Sequence, residues 1–134
     1  MGAERTPLRW AFVNKDPTLD PDLLHTYIDG WGRHDIAAVL AVLADDCQVI
    51  ESHGPVHRGT DQVERWMRSW LATGGHIREW RITDSGAAGD LLMAEWEITR
   101  RWRGEESSFQ GATICRTLGG RISYLREYAG RLAP

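Results

Sequence analysis

The segment from Ala44 to Leu71 constrains the fold most, because its hydrophobic period changes from two residues to about 3.6. Residues 47–52 alternate as a β-strand requires, and Glu51 falls on the apolar face of that strand. Gly54-Pro55 then predicts a turn into a short return strand. The end of the segment predicts an amphipathic helix with one apolar stripe, formed by Val63, Trp66, Met67, Trp70 and Leu71. An acidic side chain on an apolar strand face is the first indication of chemistry.

Two helices are predicted before this segment and four strands after it. Asp20-Pro21 predicts the start of the first helix, because an acidic cap is followed by proline at the first helical position. The second helix is predicted to begin at Ile36 and to end at Asp45. Strands are expected at residues 76–84, 91–103, 107–118 and 121–128, with a turn over 85–89 and a glycine hairpin at 119–120. Simple alternation places Ile77 and Trp80 on opposite faces of the first of these strands.

Helices followed by antiparallel strands predict an α+β fold. We expect three N-terminal helices packed on one face of a curved, mostly antiparallel sheet, with a cone-like cavity between the two layers. The predicted domain spans residues 20–134, and residues 1–19 are interpreted as an N-terminal extension.

The composition argues against several classes of partner. The formal net charge is -3, and no basic run supports binding to nucleic acid. No apolar run approaches the roughly 20 residues that would cross a membrane. The N-terminus lacks a signal-peptide core, so we expect a cytoplasmic protein. Cys47 and Cys115 are expected to be buried thiols and not a disulfide.

Seven tryptophans are unusual for 134 residues, and two explanations stay open. They pack the core and interfaces, since a tryptophan buries a large area, or they form the walls of an aromatic pocket. Arg100, Arg101 and Arg103, with the glutamates near them, are interpreted as a solvated or dimer-facing surface of the sheet.

The order of elements resembles the nuclear transport factor 2-like superfamily, particularly its SnoaL-like branch. The resemblance covers residues 20–130 and includes the segments ADDCQVIESHGPVHRG and GGRISYLREYAG. That superfamily contains polyketide cyclases, ketosteroid isomerases, epoxide hydrolases, dehydratases and binding modules, so the resemblance implies a fold and leaves the reaction open. Because many members dimerise through the sheet, it also implies a homodimer.

The resemblance implies positions for the catalytic residues. The tyrosine and the aspartate of ketosteroid isomerases correspond to Tyr27 and Glu51, whereas the second acid of those enzymes falls near Thr113. The acid on the last strand of the SnoaL-like cyclases and the limonene-epoxide hydrolases corresponds to Glu127. An arginine and a second aspartate of the hydrolases fall on Trp96 and Ile98, so the hydrolase triad is incomplete.

Glu51 and Glu127 are the acid/base pair that we predict. Two carboxylates in one apolar cavity are driven apart in pKa, one by desolvation and one by its neighbour's charge. Such a pair suits general acid/base catalysis near neutral pH. In the alternative interpretation, Glu127 pairs with a surface arginine and Glu51 faces water.

The histidines do not predict a metal site. His53 and His57 flank the Gly54-Pro55 turn, but no third ligand follows at helical or strand spacing. His53 is interpreted either as an exposed turn residue or as a proton partner of Glu51 at the cavity mouth.

The sequence therefore predicts an acid/base enzyme that needs no cofactor or metal and acts on a small hydrophobic carbonyl compound of polyketide or terpenoid type. The alternative is a non-catalytic module for ligand binding or dimerisation. The predicted catalytic residues are Glu127, Glu51 and Tyr27. The residues predicted to bind the substrate are His53, Trp66, Trp70, Trp96, Thr113, Cys115 and Leu125.

Overall fold

The computed structural model describes residues 19–131, so the predicted extension lies outside the described residues except for Leu19. The helices are α1 (Leu23–Gly32), α2 (Ile36–Ala41) and α3 (Gly59–Ala72). The strands are β1 (Leu43–Ile50), β2 (Val56–Arg58), β3 (His76–Ala88), β4 (Leu91–Trp102), β5 (Glu105–Leu118) and β6 (Arg121–Arg131).

The six strands form one curved sheet in the order β2-β1-β6-β5-β4-β3. All neighbouring strands are antiparallel except β1 and β6, which are parallel. The three helices pack on the sheet, and the predicted α+β fold is confirmed. The glycine hairpin is also confirmed, since Gly119 and Gly120 both have the positive φ angles that a tight turn requires.

The apolar stripes of α1 and α3 face the sheet as predicted. Leu24, Tyr27, Ile28 and Trp31 of α1 are buried, and so are Val63 and Met67 of α3. The first helix begins at Leu23, two residues later than Pro21 would place it. Asp20 does not cap this helix: its Oδ1 accepts a hydrogen bond of 2.9 Å from the backbone N–H of Asp22, within the turn that precedes the helix. Asp22 occupies the N-cap position and forms no side-chain cap.

The prediction that the second helix ends at Asp45 is wrong, since α2 ends at Ala41 and the chain joins the sheet at Leu43. The backbone N–H of Ile122 donates a 2.8 Å hydrogen bond to the carbonyl of Val42. Leu43 then pairs with Ile122 of β6. Pairing with a distant strand therefore overrides the local helical pattern, as tertiary contacts often do.

Two details of β3 also differ from the prediction. The strand continues through residues 85–88, so no turn begins at Ser85. Register shifts interrupt its pairing with β4 between Ile77 and Glu79 and again after Ile82. Because a bulge changes which face the following residues occupy, Ile77 and Trp80 both point inward and line one cavity.

Cys47 and Cys115 are free, fully buried thiols, as predicted. Burial raises the pKa of Cys115 to about 12, so this thiol stays protonated. Among residues 19–131, none of the helices is long and apolar enough to cross a membrane.

Candidate active site

A cavity of about 110 Å³ lies between the helices and the inner face of the sheet. It contains both of the predicted acids and five of the seven tryptophans. The lining residues are Trp31, Glu51, Ser52, His53, Trp66, Trp70, Ile77, Trp80, Trp96, Ile98, Arg100, Phe109, Glu127 and Ala129. The tryptophans thus form the walls of an aromatic pocket, and two of them, Trp31 and Trp96, also belong to the buried core.

The tryptophans meet edge to face. The ring centroids of Trp31 and Trp66 are 4.9 Å apart, and those of Trp80 and Trp96 are 5.2 Å apart. The Trp96 indole N–H donates a 2.9 Å hydrogen bond to Oγ1 of Thr113, which fixes the ring between β4 and β5.

Two glycines make room for the aromatic walls. A Cβ on Gly75 would lie 2.3 Å from Cδ2 of Trp70, and a Cβ on Gly111 would lie 2.6 Å from Cη2 of Trp96. Both distances are far below van der Waals contact. The positions of these two tryptophans therefore require glycine on the neighbouring backbone.

Glu127 projects from β6 into the cavity, opposite Thr113 of β5 in the strand pairing. Burial, with a smaller contribution from the negative charge of Glu51, raises the pKa of Glu127 to about 7. The positive charge of Arg100 offsets part of this shift. At neutral pH the carboxyl group is therefore close to half protonated.

Glu51 follows the last residue of β1 and bonds to a histidine. Its Oε2 lies 2.8 Å from Nε2 of His57, and both side chains are largely buried. The His57 ring stacks on Trp66 with a centroid distance of 4.1 Å and an interplanar angle of 7°. The hydrogen bond and the stacking together hold Glu51 at the edge of the cavity.

The partner of Glu51 is thus His57 and not His53, which lines the cavity mouth as an exposed turn residue. The sequence of the β1–β2 hairpin contained a signal for the contact between His57 and Glu51. Val49 pairs with His57 across β1 and β2, and Val49 shares a strand face with Glu51. Pairing the two strands through the Gly54-Pro55 turn would have identified this contact.

Tyr27 of α1 is fully buried, and its hydroxyl has no hydrogen-bond partner among the described residues. Burial raises the pKa of Tyr27 well above its usual value, and the nearby charge of Glu127 adds to the effect. The phenol therefore keeps its proton and can donate a hydrogen bond. Tyr27 lies behind the lining residues and is not one of them.

Arg100 is a cavity residue that the sequence interpretation missed, since its charge was taken to indicate surface. Strand alternation would have found it, because Trp96, Ile98 and Arg100 occupy every second position of β4. Its guanidinium carbon lies 5.0 Å from the ring centroid of Phe109.

Three of the residues predicted to bind substrate do not line the cavity. Thr113, Cys115 and Leu125 are fully buried in the core. Thr113 supports the cavity wall through Trp96, whereas Cys115 and Leu125 pack in the core. Within residues 19–131, no three His, Cys, Asp or Glu side chains gather into a group that could hold a metal ion.

Residues 24–125 match the family model of the SnoaL-like domain. The chain belongs to the SnoaL-like domain family. No curated protein sequence matches this SnoaL-like domain.

Solved structures with the same fold come from several bacteria. A hypothetical protein from Catenulispora acidiphila with a ketosteroid isomerase-like fold, in complex with trimethylamine, matches with a TM-score of 0.74 and 21% identity, over 85% of this chain and 88% of that chain. An epoxide hydrolase of the LEH-like type from M. tuberculosis matches with a TM-score of 0.73 and 19% identity, over 82% and 81%. A candidate polyketide cyclase from Pseudomonas putida matches with a TM-score of 0.69 and 17% identity, over 81% and 89%.

The TM-scores show that the SnoaL-like domain shares its fold with these three proteins, and the low sequence identities show nothing beyond the fold. Members of this fold include cyclases, isomerases and epoxide hydrolases. The reaction must therefore be argued from the cavity itself.

Proposed function

We propose that this SnoaL-like domain catalyses proton transfer at a carbon next to a carbonyl group in a small hydrophobic substrate, without a cofactor. The observation that carries the proposal is the meeting of Glu127 and Glu51 in one tryptophan-lined cavity. A carboxyl group with a pKa of about 7 suits both the removal and the return of a proton at neutral pH. Since a water molecule fills roughly 10–15 Å³ on the same measure, the cavity suits a ligand of about ten non-hydrogen atoms.

In the proposed reaction, the carboxylate of Glu127 removes a proton from the carbon next to the carbonyl. The electrons of the broken C–H bond form a C=C bond, and the carbonyl oxygen becomes an enolate oxygen. In our proposal the substrate oxygen enters past the lining residues toward α1, where Tyr27, which keeps its proton, donates a hydrogen bond to it. The structural support is the unpartnered hydroxyl of Tyr27 close to Glu127.

The enolate then has two productive fates. It attacks an electrophilic carbon of the same molecule, which closes a ring, or it takes the proton back from Glu127 at another carbon, which isomerises the substrate. In ring closure, the proton that Glu127 took from carbon passes to the oxygen that receives charge, and this step returns Glu127 to its carboxylate form. Glu51, held by His57, is the second acid/base group of the cavity. Dehydration and epoxide opening use the same acids and rank below cyclisation and isomerisation in our proposal.

Hydrogen–deuterium exchange tests the proton transfer before the physiological substrate is known. Small cyclic ketones, such as cyclohexanone and 2-tetralone, are incubated with the protein in D₂O, and deuterium uptake is followed by mass spectrometry. We expect exchange above the buffer rate and a loss of at least about 100-fold in Glu127→Gln, which is typical of removing a general base. Glu51→Gln should reduce exchange less.

Glu97→Gln is the matched control, because Glu97 lies on the outer face of β4 in an ion pair with Arg81. It should exchange like the wild type. Exchange that is equally fast in Glu127→Gln would contradict the proposal. Conversion of cyclohexene oxide in ¹⁸O-labelled water to cyclohexane-1,2-diol with one labelled oxygen, without ketone exchange, would instead assign the protein to epoxide opening.

A second candidate function is non-catalytic binding of a small organic cation. Five tryptophans and two carboxylates around one cavity resemble the aromatic cages that recognise methylated ammonium groups. The relative from Catenulispora acidiphila is described in complex with trimethylamine. Quenching of tryptophan fluorescence by trimethylammonium, together with no ketone exchange, would favour this function.

We also propose a homodimer formed through the outer face of the sheet. Met93 and Tyr128 project from that face and are 44% and 48% exposed. Sedimentation should show a dimer at micromolar concentration, and Tyr128→Lys should weaken it. A monomer under these conditions would contradict this proposal.

A further inference from the structure

Arg100 differs from the other arginines of residues 19–131 because it alone among them lines the cavity. Five other arginines form ion pairs with distances within 4.0 Å; they are Arg33, Arg68, Arg78, Arg81 and Arg116. Arg100 makes no hydrogen bond or ion pair with a described residue, although it is partly buried. The buried side-chain atoms that lack a partner among the described residues belong to Tyr27, Trp31, Trp80 and Arg126. The Arg100 nitrogens are not among them, so its N–H groups are open to solvent or to a ligand in the cavity.

The surroundings of Arg100 leave its hydrogen-bond donors available. Its guanidinium carbon lies 5.0 Å from the ring centroid of Phe109, and this ring has no oxygen that could accept a hydrogen bond from the guanidinium. The N–H groups lie in the plane of the guanidinium, at its edge, where a planar oxygen group can accept two of them. Arg100 also supplies the only arginine or lysine charge among the lining residues.

The other lining residues define which anion fits. Apolar rings surround the cavity, and Glu51 and Glu127 contribute negative charge. A doubly charged phosphate would be repelled by both acids, whereas a singly charged oxygen group at Arg100 needs only the one cation.

We propose that Arg100 binds an anionic oxygen group of the substrate, a carboxylate or an ionised enol, so that the substrate class is a small apolar carbonyl compound with one acidic group. This inference rests on the proposed function for the reacting end of the molecule. Arg100 holds the acidic end, the apolar body packs against the tryptophan walls, and the carbon that loses its proton faces Glu127.

In this arrangement, binding of an anion at Arg100 changes the basicity of Glu127. The charge of Arg100 lowers the pKa of Glu127 in the empty protein. An anion at Arg100 neutralises that charge, so Glu127 becomes a stronger base when the correct ligand is bound. A neutral ketone of the same shape does not produce this effect.

Binding of matched probe ligands tests the inference without any turnover. Benzoate and cyclohexanecarboxylate are compared with benzyl alcohol and cyclohexylmethanol, which have the same apolar body without the charge. Tryptophan fluorescence reports binding, since five tryptophans line the cavity. We expect the wild type to prefer each carboxylate by about 10- to 100-fold, the range that hydrogen bonds to a charged group provide.

Three variants locate the effect. Arg100→Met should abolish the preference, and Arg100→Lys should keep part of it, because lysine retains the charge and loses the planar fork. Arg101→Met is the matched control, since Arg101 is the next residue of β4 and lies exposed on the opposite face. It should keep the full preference. Circular dichroism establishes that each variant is folded.

The result that would overturn the inference is equal binding of the carboxylates and the alcohols, or an undiminished preference in Arg100→Met. Tighter binding of trimethylammonium than of benzoate would also overturn it. Failure of the proposed function is distinguishable, because Glu127→Gln should lose ketone exchange and still prefer the carboxylates. An intact preference without exchange in the wild type would assign Arg100 to a binding protein for small organic acids.

Discussion

Glu97 and Arg100 lie three residues apart on β4, yet they point to opposite faces of the sheet and meet opposite environments. Glu97 is on the outer face and pairs with Arg81, with about half of each side chain exposed to water. Arg100 is on the inner face, where its positive charge lowers the pKa of Glu127 across the cavity. Water screens the outer pair, so the attraction between its two charges contributes little to stability.

The difference shows what burial does to charge in this fold. A carboxylate on the outer face satisfies its oxygens with an arginine and with solvent. Glu127 on the inner face forms no ion pair with a described residue, and burial raises its pKa to about 7 although the charge of Arg100 opposes the shift. The same strand pairing therefore creates an inert surface on one side and a reactive cavity on the other.

The largest expected effect that separates the two faces is the pH dependence of stability. A raised pKa means that Glu127 opposes folding once it ionises, so stability falls as pH rises from about 4.5 through 7. Glu127→Gln should be more stable than the wild type at pH 8 by up to about 3 kcal/mol, and equally stable at pH 4. Urea denaturation at both pH values measures this. Glu97→Gln should show no such pH-dependent gain, and a Glu127→Gln variant that is no more stable at pH 8 would contradict the inner-face assignment.

The next effect concerns the backbone that the two faces share. A Cβ on Gly111 would lie 2.3 Å from the carbonyl oxygen of Tyr128 and 2.6 Å from the Trp96 ring. Gly111→Ala should therefore destabilise the protein by about 1–3 kcal/mol, as overpacking does. Thermal unfolding measures the change, and near-ultraviolet circular dichroism should report a displaced tryptophan. Gly130→Ala is the control, since nothing lies within 4 Å of its Cβ position; equal losses in the two variants would exclude steric contact as the cause.

A smaller effect is expected at the hydrogen bond between His57 and Glu51. His57→Phe keeps a ring that stacks on Trp66 and removes the 2.8 Å hydrogen bond. The loss should be about 1 kcal/mol in urea denaturation, the usual contribution of such a bond. His53→Phe, at an exposed turn position without that bond, should change stability by less than about 0.5 kcal/mol. If the His57→Phe variant is as stable as the wild type, stacking on Trp66 alone holds the ring.

The smallest effect belongs to the outer face. A double-mutant cycle of Arg81→Met and Glu97→Gln should give a coupling free energy below about 1 kcal/mol, because both side chains are exposed. The coupling should decrease further in 1 M NaCl, where the screening length is only about 3 Å. A coupling above about 2 kcal/mol would place this ion pair inside the homodimer interface that we propose on this face, where it would be buried.

Much of the fold and part of the site could be predicted from local pattern. The alternation of β4 predicts the buried set that ends at Ile98, and it would also have placed Arg100 in the cavity had its charge not been read as surface. The helical stripe of α3 places Trp66 and Trp70, both of which line the cavity. To predict the contact of His57 with Glu51, one needs the pairing of β1 with β2, which the turn sequence implies only indirectly.

The sequence by itself determined the kinds of element, their order, and the faces of the regular strands, because these depend on neighbours two to four residues away. Only the tertiary structure decided that Trp80 points inward, since a bulge set by the pairing of β3 with β4 shifts its face. It alone also decided the acidity of Glu127. That property depends on desolvation and on the distance to Glu51 and Arg100, and chain folding sets both by bringing remote strands around one cavity.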